Sequence, residues 1–167
     1  AIPNSDLLCM QQLSSMNTVA IVKDEDGIYQ RCQFSMIRNS TSGSYEGHLD
    51  QKEELKGNAA MIEDAEYTVI DKLNGFLYFS IGNKLYTYRK GIDECVEVNL
   101  QGVNFDPIVS LNVIAHNDYK ANVFVATYSE TNKGKVYRLT PESTDSRNLT
   151  VEEVIDTEGA VKCITYW

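Results

Sequence analysis

The stretch "GFLYFSIGNKLYTYRKG", residues 75–91, holds five aromatic residues in seventeen positions around a central Gly-Asn pair. Gly82 accepts the positive φ that a type II′ turn demands, so a two-residue Gly82-Asn83 turn closes a hairpin and sets its register. In that register Leu77, Phe79 and Ile81 share one face with Tyr86 and Tyr88. Phe76 and Tyr78 share the other with Leu85 and Thr87. Side chains of this size each gain about 1.5–3 kcal/mol only when buried. A hairpin that is apolar on both faces must be covered on both sides, which excludes an open sheet with one wet face.

The neighbouring sequence extends the hairpin. Residues 67–70 read as a strand, Asn74-Gly75 as a turn, 76–81 and 84–88 as the hairpin strands, and "ECVEVNL" as a fourth strand. Four strands across 67–100 with short links have the size and connectivity of one propeller blade. The pattern recurs downstream. "VFVA" at 123–126 matches "FLYF" at 76–79 with an offset of 47, and "KVYRL" at 135–139 matches "KLYTY" at 84–88 with an offset of 51. The difference of four reads as one loop insertion. "SLNVIAHNDYKAN" supplies the first strand and turn of this second copy, and "LTVEEVIDT" its fourth strand. Upstream, "TVAIVKDEDGIYQRCQFSMI" reads as two strands joined by an Asp-Gly turn, a weaker earlier copy.

These readings predict an all-β chain of antiparallel four-stranded sheets, a partial or fragmentary β-propeller of about three blades. Residues 1–60 form an N-terminal partial blade and a long polar loop; 61–167 form two blades with a closing C-terminal strand, "GAVKCITYW". A closed ring takes about 4–8 blades, so further blades, or another chain, are expected to complete the assembly. Within the first segment, residues 5–15 read as a short helical turn from Leu7, Leu8, Met10 and Leu13. Residues 38–60 read as a loop with one helical turn at 50–55. A connection of about 20 residues is uncommon in a compact domain unless it is functional, which makes it the candidate binding loop.

The net charge of −9 and a longest basic cluster of only Arg89-Lys90 exclude a nucleic-acid partner. No run approaches the roughly 18 apolar residues of a membrane-spanning helix. The opening "AIPNSDLLCM" lacks a basic n-region and a long apolar core, so it is not a signal peptide; it also lacks the small residues that precede a lipoprotein cysteine. Export would require a targeting segment ahead of Ala1.

Four cysteines, Cys9, Cys32, Cys95 and Cys163, show neither a CxxC pair nor metal-ligand spacing with histidine. Strand-like settings favour free thiols, while the spacing leaves a Cys9–Cys32 bridge open. "DEDG" lacks the alternating acidic spacing and distal Glu of a calcium loop. The usual hydrolase, zinc-protease and nucleotide motifs are also missing, so no catalytic residue, metal or cofactor is expected. The acidic pairs Asp24/Asp26, Glu53/Glu54 and Glu152/Glu153 leave one enzymatic alternative, a carbohydrate hydrolase or lyase using loop carboxylates. Asn39 and Asn148 head glycosylation sequons, relevant in a eukaryotic secretory host.

Ten tyrosines supply rings that suit both half-buried strands and sugar-contacting surfaces. Tyr45, Tyr119 and Tyr128 fall in or beside loops and are the candidate stacking groups; His116, in "AHNDYK", is a candidate polar partner.

"NVFVATYSETNKGKVYRLTPES" followed by "VEEVIDTEGAVKCITYW" resembles the C-terminal end of the PKD-like family lipoproteins of Bacteroidetes. The element from Tyr128 to Tyr137 matches the family's hairpin, and Gly159, Val161, Ile164 and Tyr166 match its closing strand. "GNKLYTYRKG" fits the preceding blade, so the resemblance covers about residues 67–167. It implies an exported, surface-anchored, non-catalytic protein linked to polysaccharide uptake. The expected function is therefore a binding or scaffold module with a glycan or surface-protein partner.

Overall fold

The computed structural model describes residues 5–89, 92–117, 120–142 and 145–165. Twelve strands form three four-stranded antiparallel sheets, and in each sheet spatial order follows chain order. The chain divides into two compact units, Ala1–Glu63 and Asp64–Trp167.

The first unit holds β1 (Asp6–Ser14), β2 (Asn17–Lys23), β3 (Tyr29–Arg38) and β4 (Tyr45–Leu55). The β-branched run of β2 occupies an interior position, where Val19 and Ile21 on one face and Ala20 and Val22 on the other are all buried. The turn at 24–28 is built by Asp24, whose Oδ1 accepts the backbone N–H groups of Asp26 (3.0 Å) and Ile28 (2.9 Å). Gly27, at φ 78°, supplies the left-handed step. A 3₁₀ helix, Ala59–Asp64, follows β4. Its Glu63 receives Lys23 Nζ at 2.9 Å, and Lys23 also lies over the Tyr29 ring.

Two expectations fail in this unit. Residues 5–15 form β1 rather than a helical turn. Register shifts between Leu7 and Cys9 and between Gln12 and Ser14 interrupt its alternation twice, so its apolar spacing imitates a helix. The presumed loop at 38–60 is largely strand β4. Nearly every β4 residue is exposed, so the strand lacks the apolar alternation by which a strand is recognised. Residues 39–44 turn, with Asn39 Oδ1 capping the N–H groups of Thr41 and Ser42, and a second short turn at 57–58 leads into the 3₁₀ helix.

The second unit contains β5 (Tyr67–Ile70), β6 (Leu77–Ile81), β7 (Lys84–Arg89) and β8 (Glu94–Glu97). It continues with β9 (Ile108–Asn117), β10 (Lys120–Ser129), β11 (Lys133–Glu142) and β12 (Asp145–Thr157). Ile81 pairs with Lys84 across Gly82-Asn83, and Gly82 adopts φ 60°. Leu77 and Phe79 are buried on one face of β6, and Tyr78 and Ser80 on the other, so both faces of the hairpin are dry. Val69, Tyr78 and Leu85 pack against Leu111, Val123, Val125, Tyr137, Leu139 and Leu149 in one core between the two sheets. Backbone bonds reinforce this packing: Asn99 N–H donates to Arg147 O at 2.7 Å and Ile108 N–H to Gly82 O at 2.9 Å.

The extra four residues of the second copy are shared between longer strands and a loop of three residues instead of two. The closing strand does not form among the described residues: 161–165 make no ladder. Instead, Asn112 Nδ2 donates to Ile164 O at 2.7 Å and Thr157 Oγ1 to Gly159 O at 2.7 Å. Positions 166–167 lie outside the described residues. Among the described residues no helix is long and apolar enough to cross a membrane.

Candidate functional site

Directly paired residues of an antiparallel sheet share a face, so the register of the first sheet defines one surface. Leu7 pairs with Val22 and Met10 with Ala20; Ala20 pairs with Cys32 and Thr18 with Phe34. Phe34 in turn opposes Leu49, Met36 opposes Gly47, and Arg38 opposes Tyr45. Ala20, Val22, Cys32 and half-buried Phe34 pack together at the centre of this surface. Around them Leu7 (59%), Met10 (66%), Met36 (43%), Leu49 (46%) and Tyr45 (56%) remain exposed. Single exposed apolar side chains are ordinary, whereas five around a common apolar centre form a patch. Gly47 carries no side chain between Tyr45 and Leu49, and Met36 Sδ lies 3.8 Å from where its Cβ would stand.

Charge on this surface is sparse. Lys52, opposite Cys32, Glu54, opposite Gln30, and Arg38 are its ionic groups, two cations against one anion in a chain of net charge −9. Sequence reasoning found Tyr45 but missed Leu7, Met10, Met36 and Leu49. They converge only through strand pairing, which local periodicity does not encode.

Three of the four candidate residues, Tyr45, His116 and Tyr128, lie on described strands. Tyr45 opens β4 in the first unit. Tyr128 lies near the end of β10 in the second, half-buried, with its hydroxyl donating to Glu130 Oε1 at 3.2 Å. Desolvation and the adjacent Glu130 carboxylate raise its phenol pKa. His116 falls near the other end of the β9–β10 pair, where Asn117 opposes Lys120. Eight residues of strand separate Lys120 from Tyr128, roughly 27 Å at about 3.4 Å per residue. His116 and Tyr128 therefore stand toward opposite ends of this strand pair. Tyr119 lies outside the described residues.

Strand geometry also separates the acidic pairs. Glu53 opposes Arg31 and Glu54 opposes Gln30, while Glu152 opposes Arg138 and Glu153 opposes Tyr137. Consecutive strand residues point to opposite faces, so neither pair converges on one bond. Asp24 is occupied by its turn, and the Ile28 N–H bond is the main cause holding its carboxyl below the usual value. Glu152 is engaged by Arg138. Lys135 binds Glu153 at 2.8 Å and Asp156 at 3.0 Å, which raises the lysine pKa and lowers that of Asp156. Lys135 and Asp156 border a shallow recess of about 330 Å³ at Lys133, Gly134 and Thr157.

No disulfide joins the four cysteines. Cys9 opposes Ile21 and Cys32 opposes Ala20, so Cys9 and Cys32 stand on opposite faces of their sheet and the open bridge is closed off by geometry. Burial pushes the Cys9 thiol up to about 11. Among the described residues no group of His, Cys, Asp and Glu is placed to hold a metal ion.

The sequence matches no protein-family model, and comparison with curated proteins and with solved structures yields no match.

Proposed function

We propose that this chain is a non-catalytic binding or scaffold module of an exported bacterial cell-surface protein, whose four-stranded sheets act as propeller-like blades. The observation that carries the reading is the patch of five exposed large apolar side chains on one face of the first sheet. A soluble protein retains such a surface where something docks on it. Three successive four-stranded meanders support the blade reading. The resemblance of residues 67–167 to PKD-like lipoproteins supports the surface location and a connection with polysaccharide uptake. The divergence of Glu53 from Glu54 and of Glu152 from Glu153 supports a non-catalytic role over a carbohydrate hydrolase or lyase.

Among the described residues Tyr45 is the aromatic group most exposed for stacking on a sugar ring or a partner side chain. Screening the chain against a polysaccharide panel tests both halves of the proposal. Binding without cleavage, weakened about tenfold in Tyr45→Ala, is the expected outcome, since stacking contacts of this kind contribute on the order of 1 kcal/mol or more. Release of reducing or unsaturated ends by the wild-type chain overturns the non-catalytic reading.

A further inference from the structure

We propose that Asn74 is a site of spontaneous covalent modification, converted to aspartate or isoaspartate when the turn between β5 and β6 opens and kept intact while that turn is closed. The inference concerns the second unit and stands apart from the docking face of the first sheet.

The chemistry begins with one dipeptide. Asn74 is the one asparagine in the chain that is followed by glycine. The Gly75 backbone nitrogen, on losing its proton, attacks Cγ of the Asn74 side chain. A Gly75 N–Cγ bond forms, the Cγ–Nδ2 bond breaks, and the amide nitrogen takes up a proton and leaves as ammonia. Solvent water then opens the five-membered succinimide at one of its two carbonyls, giving aspartate or isoaspartate. Nothing is oxidised or reduced, and water is the co-reactant. Glycine brings no side chain to crowd the ring, and Asn74 is exposed to solvent.

The closed turn withholds both reacting groups. Gly75 N–H donates to Asp71 O at 2.6 Å, so the nucleophile keeps its proton and its place. Asn74 Nδ2 donates to Asp71 Oδ2 at 2.8 Å, which ties the leaving group to a residue three positions upstream. Asp71 is itself held fast. It is 0% exposed, its Oδ1 accepts Leu73 N–H at 2.8 Å, and its own N–H donates to Phe76 O at 2.7 Å. Reaction therefore requires a local opening that frees Gly75 N–H and the Asn74 amide together.

The product does not restore the turn. An aspartate side chain at 74 has no proton to donate at neutral pH, and it stands beside the buried Asp71 carboxylate, where like charges repel. Isoaspartate also lengthens the main chain by a methylene. Each conversion is one-way, and it loosens the entry to β6, whose Leu77, Tyr78 and Phe79 are buried.

Peptide mass spectrometry on the full 167-residue chain reads the result. The chain is held at mildly alkaline pH in buffer and in denaturing urea, and conversion at Asn74 is followed by the mass gained when NH is replaced by O. Conversion at least about tenfold slower in buffer than in urea is expected. Equal rates overturn the gating by the turn, and an Asn74 that stays intact in urea overturns the site. Asn74→Asp, at an exposed position, reproduces one product directly. Its Gly75 amide should exchange hydrogen at least about tenfold faster than in the wild type. Unchanged protection overturns the claim that the product leaves the turn open.

Discussion

Tyr78 illustrates what single residues contribute beyond hydrophobic burial. Its ring is fully buried in the core between the sheets of the second unit, yet its hydroxyl has no hydrogen-bond partner among the described residues. Burial, helped by the charges of Asp71 and Asp145, drives its phenol pKa strongly upward. An unpaired buried hydroxyl costs about 1–3 kcal/mol, so Tyr78→Phe keeps the ring and removes the penalty. Chemical denaturation should show this variant at least as stable as the wild type, by up to about 1 kcal/mol. A loss of that size would reveal an acceptor for the hydroxyl. Gly134 makes the opposite case. A Cβ there would collide with Thr157 Oγ1 and the Gly159 carbonyl, so Gly134→Ala must dislodge the segment after β12. Faster amide exchange around Gly159 and Ile164 is the expected readout. At this scale the sequence was informative where chemistry is local: Gly82 and Gly27 announced their turns because positive φ favours glycine. The need for glycine at 134 was hidden, because the obstructing atoms lie more than twenty residues away.

Whole elements were readable in proportion to how their side chains partition between core and water. β6 and β7 emerged with their register because both faces are apolar and a two-residue turn fixes their alignment. β1 and β4 did not, since bulges interrupt one and solvent surrounds the other. The 3₁₀ helix at Ala59–Asp64 lies just beyond the helical turn expected at 50–55, where Asn58 and Gly57 break the chain. This element carries a pH-dependent tie. The hydrogen bond from Lys23 is the main cause holding the Glu63 carboxyl below its ordinary 4.5, so the folded form binds that proton less readily than the unfolded chain. Stability from this contact is therefore fully present above 4.5 and lost as pH falls through the lower folded value. Asp24 and Asp156 shift in the same direction. Urea midpoints should fall on acidification below about pH 4.5, and Glu63→Gln should flatten part of that slope. A profile unchanged by the substitution would show that the ion pair, which is partly exposed, is screened away.

At the scale of the molecule, the meander is the repeated theme: each sheet is four strands laid side by side in chain order. The second and third were legible because their matching strands recur at offsets of 47 and 51; half of the first was concealed in polar sequence. The acidic balance adds a test that composition alone makes available. A chain of net charge −9 repels itself within the fold, and salt screens that repulsion, with a Debye length near 30 Å at 0.01 M and about 8 Å at 0.15 M. Urea midpoints at neutral pH should therefore rise as sodium chloride is raised across this range. A fall would show that ion pairs such as Lys135 with Glu153 and Asp156, which the same ions weaken, outweigh the repulsion.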